Sequence, residues 1–132
     1  MNKLVTEWIS AADNDYFYAK IGFSESKLYA NVCFTCQQAF EKYLKAYLFA
    51  KSKDFPKTHD LTKLLALCLN VDQDFSSFLE DASTITPYAI AARYPDISAL
   101  VFTKQQAKEA LDNVLKLGEF VKNKLELISR RN

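Results

Sequence analysis

Apolar residues recur every three or four positions along most of the chain, and this spacing predicts α-helices. A first helix is expected over about residues 3–21, and Gly22 is its expected stop. A second helix is expected to begin near residue 25 or 27 and to reach residue 51, because its apolar stripe continues without a break. A short third helix is expected to start near Leu61.

The region between residues 70 and 102 shows a less regular pattern. Residues 70–74 are predicted to form a turn, and a fourth helix follows over about residues 75–85. Pro87 disturbs or ends this helix, because proline cannot donate a backbone hydrogen bond. Residues 88–102 are predicted to be irregular, since Pro95 disfavours helical backbone at the residue before it.

The last helix has the clearest boundaries. Thr103 and Gln106 have the spacing of a capping box, and an apolar stripe follows over residues 107–128. Gly118 interrupts the helix at a cost of about 1 kcal/mol relative to alanine, which we attribute to a close helix approach. Together the elements predict an all-α, up-and-down four-helix bundle with an additional short helix.

Composition and charge narrow the class of protein. The 132 residues form one predicted domain over 1–132, and 49% apolar residues suffice for a core without disulfides or metal. A net charge of +1 argues against a general polyanion binder, whose surface is usually much more basic. No apolar run is long enough for a transmembrane helix, and no signal peptide is recognisable, so we expect no membrane contact and a cytoplasmic location.

The three cysteines are predicted to be packing residues. Cys33 and Cys36 have C-x-x-C spacing, but they lie within a helical pattern, and no second Cys pair or His pair accompanies them. Cys68 is on the apolar side of the third helix. We therefore expect no metal site and no cofactor, and three buried thiols.

Two carboxylates are predicted to be paired. Asp15 lies on the apolar stripe of the first helix, so it is expected inside the bundle with Arg93, Lys42 or a tyrosine hydroxyl as partner. Glu41 precedes Lys45 by four residues, which is the favourable order for an ion pair along one helix.

The order of the polar motifs resembles the HEPN family of small helical domains. The motifs are Trp8-x-x-x-Ala12-x-x-Asp15-Tyr16-x-x-Ala19, Gln38-Ala39-x-Glu41-Lys42-x-x-Lys45-Ala46, Thr58-His59-Asp60-Leu61 and Arg93-Tyr94-Pro95-Asp96, followed by the Ala-rich final helix. The resemblance covers nearly the whole chain. It implies a four-helix up-and-down core, often dimerised, and an association with nucleotides, RNA cleavage or partner nucleotidyltransferases.

The resemblance also implies a test for ribonuclease activity. Ribonuclease members of the family carry an arginine followed by histidine four to six residues later, and the pair cleaves RNA without metal. No histidine follows Arg93, and the chain's one histidine, His59, precedes it by more than thirty residues. The sequence therefore favours a protein without this catalytic pair, and a diverged site would have to use Arg93 with His59.

Arg93 is the strongest candidate for a ligand contact. A guanidinium binds phosphate through two parallel hydrogen bonds, and the adjacent Tyr94 could stack on a base or ribose. The structural alternative is a buried Arg93 paired with Asp15, Glu41 or Asp96, and the two interpretations are compatible.

Three further residues complete the candidate ligand site. Lys42 and Lys45 either extend a basic patch with Arg93 or lie on a solvated face. His59 either donates to a neighbour or to Asp60 as part of a helix cap, or it acts as an acid–base residue or ligand contact.

Three functions are consistent with these residues. The first is a binding module that binds a nucleotide or pairs with a nucleotidyltransferase in a toxin–antitoxin-like pair. The second is a metal-independent ribonuclease toxin with a diverged site, and the third is a structural dimerisation domain. A homodimer is expected in each case, because aromatic residues such as Tyr88 and Tyr94 are left over for an interface.

Overall fold

The computed structural model describes residues 2–52, 57–91 and 102–131, and nearly all of this part is helical. The helices are α1 (Lys3–Glu25), α2 (Tyr29–Ser52), α3 (Leu61–Val71), a 3-10 helix (Gln73–Phe78), α4 (Leu79–Ile85), α5 (Tyr88–Ala91) and α6 (Lys104–Arg131). These described residues contain no β-strand. The all-α, up-and-down four-helix bundle with an additional short helix is therefore confirmed.

Helix α2 is the centre of the bundle. It packs against α1, α3, α5 and α6, and its residues are buried on almost every side between Val32 and Leu48. More of the α2 surface is therefore buried than its amphipathic pattern predicts, because neighbouring helices on several sides cover its polar positions as well. Within the described residues, no helix is both long and apolar enough to cross a membrane.

Helix α1 is longer than the sequence pattern indicates. It begins after Asn2, whose side chain accepts a hydrogen bond from the backbone N–H of Leu4 at 2.7 Å. The predicted stop at Gly22 is wrong, because the helix continues through Gly22 to Glu25. The chain leaves the helix at Ser26, whose backbone N–H donates to the Gly22 carbonyl.

The middle of the chain also differs from its prediction. Asp60 is the cap of α3, since its side chain accepts from the backbone N–H of Thr62 at 3.0 Å. The predicted turn is shorter, because α3 extends to Val71 and Asp72 caps the 3-10 helix directly. The predicted fourth helix is divided into this 3-10 helix and α4.

Helix α6 matches its prediction closely. The backbone N–H of Thr103 donates to Gln106 Oε1 at 3.0 Å, and the backbone N–H of Gln106 donates to Thr103 Oγ1 at 3.1 Å. The capping box is therefore confirmed. At Gly118, where a close helix approach was expected, the ring of Tyr43 on α2 lies directly against the glycine, so the missing side chain makes room for an aromatic ring.

Candidate functional site

A group of polar side chains lies inside the bundle on one face of α2. Gln37, Glu41 and Lys45 follow one another at four-residue intervals, which places them on the same side of the helix. Their exposed fractions are only 0%, 4% and 6%. With His59 from the segment before α3, we call these residues the α2 polar cluster. Such burial is unusual for charged residues and requires specific partners.

The Glu41 carboxylate is the hub of the α2 polar cluster. Lys45 Nζ lies 2.9 Å from Glu41 Oε2, so the predicted i,i+4 pair is confirmed, although it is buried. His59 Nδ1 lies 3.0 Å from Oε2 and 3.1 Å from Oε1 of the same carboxylate. Gln37 Nε2 donates to the His59 backbone carbonyl at 3.4 Å and thereby ties the segment before α3 to α2.

His59 connects the buried cluster to solvent. Its side chain is 82% exposed, whereas the Glu41 side chain that it contacts is 5% exposed. The expectation that His59 donates to a neighbour is consistent with the Glu41 contact, but Asp60 is not its partner, because Asp60 caps α3 through Thr62. On the other side of the cluster, Lys45 Nζ lies 5.7 Å from the centre of the Trp8 ring, within cation–π range.

Asp15 has one of its predicted partners. Lys42 Nζ donates to Asp15 Oδ2 at 2.6 Å, joining α2 to α1. Asp15 is less buried than predicted. Its side chain is 25% exposed, so its pair with Lys42 lies at the edge of the bundle and not inside it. Arg93, Tyr94 and Asp96 lie outside the described residues.

The two lysines of the candidate ligand site do not form a free basic patch or a solvated face. Lys45 is buried against Glu41, and Lys42 is half-buried against Asp15. Each positive charge is therefore balanced by a carboxylate within hydrogen-bonding distance. A phosphate would have to compete with these carboxylates for either ammonium group.

A second carboxylate pairing was not predicted. Tyr43 donates its hydroxyl hydrogen bond to Asp13, and Lys122 Nζ from α6 lies 2.7 Å from the same carboxylate. Burial and the Asp13 hydrogen bond raise the pKa of Tyr43, so its hydroxyl stays protonated. This arrangement ties α1, α2 and α6 together at the level of Gly118.

The cysteines have the packing role that was expected. All three are buried free thiols. Burial raises the pKa of Cys33 and of Cys68 to about 12, and it also raises the pKa of Cys36, so none carries a reactive thiolate. The described residues contain no group of three or more His, Cys, Asp or Glu side chains that could hold a metal ion.

Of the two tyrosines expected on an exposed apolar surface, Tyr94 lies outside the described residues and Tyr88 is not exposed. Tyr88 is buried and packs against Phe102 with ring centres 5.6 Å apart, so it is not left over for an interface. The outward side of α1 instead carries Phe17 and Tyr18, which are 62% and 71% exposed. Leu28, just before α2, is 62% exposed as well.

Gln37 is the member of the α2 polar cluster that was not among the candidate site residues predicted from the sequence. The signal was present, because Gln37, Glu41 and Lys45 repeat every four residues on a helix whose other residues are mostly apolar. A polar stripe of this kind usually indicates a solvated face. Here the stripe is buried because Trp8 packs against Lys45 and the segment before α3 packs against Gln37.

The comparisons with known proteins agree with this architecture. The family described as HEPN domain matches residues 5–124. The crystal structure of TT1696 from Thermus thermophilus has a TM-score of 0.79 at 29% identity, covering 94% of this chain and 99% of that one. The structure of ST0689, described as an archaeal HEPN homologue, has a TM-score of 0.72 at 25% identity, covering 94% and 98%. No curated protein matches the chain at a significant level. Because the family match spans most of its length, this chain belongs to the HEPN domain family.

Proposed function

We propose that this HEPN protein is a cytoplasmic binding module of one domain that binds a nucleotide and works with a nucleotidyltransferase partner in a toxin–antitoxin-like pair. The observation that carries the proposal is the contact between the exposed imidazole of His59 and the buried carboxylate of Glu41. Exposed side chains normally sample several orientations, and fixing one is entropically costly. A fixed, outward imidazole supports a ligand contact better than a role in stability.

The surroundings of His59 favour binding over RNA cleavage. Cleavage requires a general base at the 2′-hydroxyl and a cation that stabilises charge on the phosphate. Lys42 and Lys45 are already paired with carboxylates, so they are weak candidates for that cation. Arg93 is proposed on sequence grounds as the phosphate contact, with Tyr94 as the stacking residue.

Calorimetric titration of the purified protein with AMP and ATP tests the nucleotide proposal. We expect weak binding that is reduced in both His59→Ala and Arg93→Ala. The matched control is Lys108→Ala, which removes an exposed cation from α6 and should leave the affinity unchanged. Equal affinities in all four proteins, or no binding, would refute the proposal.

A ribonuclease assay distinguishes nucleotide binding from RNA cleavage. The protein is incubated with total RNA, with and without divalent metal, and we expect no robust cleavage. Cleavage that disappears in both His59→Ala and Arg93→Ala would establish the diverged ribonuclease as the correct function.

The partner proposal is tested by co-expression with a nucleotidyltransferase encoded beside this chain, where a stable complex is the expected result.

A second function, self-association, is favoured by the surface of α1. Phe17 and Tyr18 face outward, and Leu28 and Ile21 line a groove of about 280 Å³ between the end of α1 and the start of α2. Exposed apolar groups in one region favour an interface. Light scattering at tens of micromolar should report a homodimer, and Phe17→Ser with Tyr18→Ser should shift it towards monomer. A wild-type monomer under these conditions would contradict the dimer.

A further inference from the structure

The hydrogen-bonding partners of Glu41 determine which nitrogen of His59 carries the proton. A carboxylate accepts hydrogen bonds and donates none, and Glu41 Oε2 already accepts from the Lys45 ammonium at 2.9 Å. His59 Nδ1 lies 3.0 Å from Glu41 Oε2, and two acceptors cannot share a hydrogen bond at this distance. Nδ1 must therefore carry the hydrogen.

The other ring nitrogen is left with a lone pair in the neutral imidazole. The side chain of His59 is 82% exposed, and none of the residues that the structure describes forms a hydrogen bond with Nε2. A freely solvated histidine prefers the opposite tautomer, with the hydrogen on Nε2. Glu41 thus changes the exposed nitrogen from a donor into an acceptor.

The rest of the α2 polar cluster keeps this arrangement rigid. Lys45 holds one oxygen of Glu41 at 2.9 Å, and Gln37 holds the backbone carbonyl of His59 at 3.4 Å. Both the acceptor and the segment that carries the imidazole are therefore fixed to α2. Glu41 is 5% exposed, so water competes poorly for its oxygens.

We propose that Glu41 is a positioning residue that holds His59 in the Nδ1–H tautomer, so that Nε2 accepts a hydrogen bond from a ligand hydroxyl. The hydroxyl belongs to the ribose of a nucleotide, and in this respect the inference rests on the proposed function. The fully ionised phosphate of a nucleotide does not satisfy this nitrogen, because its oxygens and a neutral Nε2 are all acceptors. His59 therefore contacts the ribose of the nucleotide and not its phosphate.

The tautomer is measured directly by nitrogen-15 NMR of the imidazole. The chain contains one histidine, so the spectrum shows a single ring. At a pH where the ring is neutral, Nδ1 should give the signal of a protonated nitrogen and Nε2 that of an unprotonated nitrogen. A wild-type spectrum with the hydrogen on Nε2 overturns the inference and leaves the proposed nucleotide binding intact.

The role of Glu41 is tested by removing both buried charges. Glu41→Met with Lys45→Met replaces the ion pair by apolar side chains of similar volume, a change that buried pairs often tolerate. We expect the hydrogen of His59 to move to Nε2 in this variant. The control, Asp81→Met with Lys116→Met, removes another ion pair between helices and should leave the tautomer unchanged. An unchanged tautomer in the Glu41 variant overturns the positioning role.

The ligand class is tested by comparing AMP with its 2′,3′-dideoxy analogue and with inorganic phosphate. Loss of one hydrogen bond should weaken binding of the analogue about three- to tenfold. This ratio should fall towards one in the Glu41 variant, because the contact that holds Nδ1, and with it the orientation of the ring, is lost. A general loss of affinity with an unchanged ratio would instead assign the effect to Lys45 and overturn the role of Glu41. Equal binding of AMP and its analogue, a phosphate-induced shift of Nε2 as large as that from AMP, or no AMP binding each overturns the ribose contact.

Discussion

At Gly118, adding a methyl group has two opposing effects on stability: it favours the helical backbone, and it crowds the ring of Tyr43. A Cβ at this position would lie 2.8 Å from Cζ of Tyr43 and 3.0 Å from both Cε2 and the hydroxyl oxygen. The Tyr43 ring is 3% exposed, and its hydroxyl is held by Asp13, so the ring has little freedom to move away. We therefore expect Gly118→Ala to destabilise the protein although alanine is the better helix former.

The magnitude follows from two terms. Overpacking a well-filled site costs about 2–3 kcal/mol when the contact is this short. The change from glycine to alanine within a helix contributes about 1 kcal/mol in the opposite direction. The net loss should be about 1–2 kcal/mol, or about 3–8 °C in the unfolding temperature for a chain of this size.

The chain offers a matched control in its other glycine. Gly22 also lies within a helix, but a Cβ there would only touch Val32 Cγ2 at 3.4 Å, an ordinary contact. Gly22→Ala should therefore stabilise the protein by about 0.5–1 kcal/mol. Urea unfolding followed by circular dichroism measures both variants, and a Gly118→Ala protein as stable as wild type would refute the packing argument.

Three other predictions concern pairs and thiols. Asp15→Ala should cost about 1 kcal/mol in urea unfolding, because its pair with Lys42 is at the rim; a loss above about 3 kcal/mol would show a buried charge instead. Lys124→Met should cost about 0.5–1 kcal/mol near pH 7, since Lys124 contacts Asp72 at 2.8 Å. That difference in stability should shrink as pH falls below about 4. The hydrogen bond from Lys124 lowers the pKa of Asp72 from 3.8, and the stabilisation by this pair is lost when Asp72 is protonated. Acid titration of both proteins measures the change. Cys68, whose pKa is raised to about 12 by burial, should react with thiol reagents at pH 7 only in denaturant, and rapid labelling of the native protein would contradict its burial.

Local signals in the sequence were sufficient for most helices. The capping box of Thr103 and Gln106 places the start of α6 correctly, because its hydrogen bonds involve residues three positions apart. The prediction failed at Gly22, where α1 continues. Glycine lowers helix stability by only about 1 kcal/mol, and packing of α1 against α2 outweighs that preference.

The sequence by itself determined the all-α fold, the pairing of Glu41 with Lys45 and the candidate role of His59, since each depends on periodicity, spacing or residue type. Tertiary structure alone decided that the ion pair is buried and that Glu41 also holds His59 from a segment eighteen residues away. Burial depends on which elements cover a helix face, and the pattern of α2 contains no information about its neighbours. The acceptor nitrogen of His59 is thus a property of the folded bundle, because no local sequence signal specifies the partner of Nδ1.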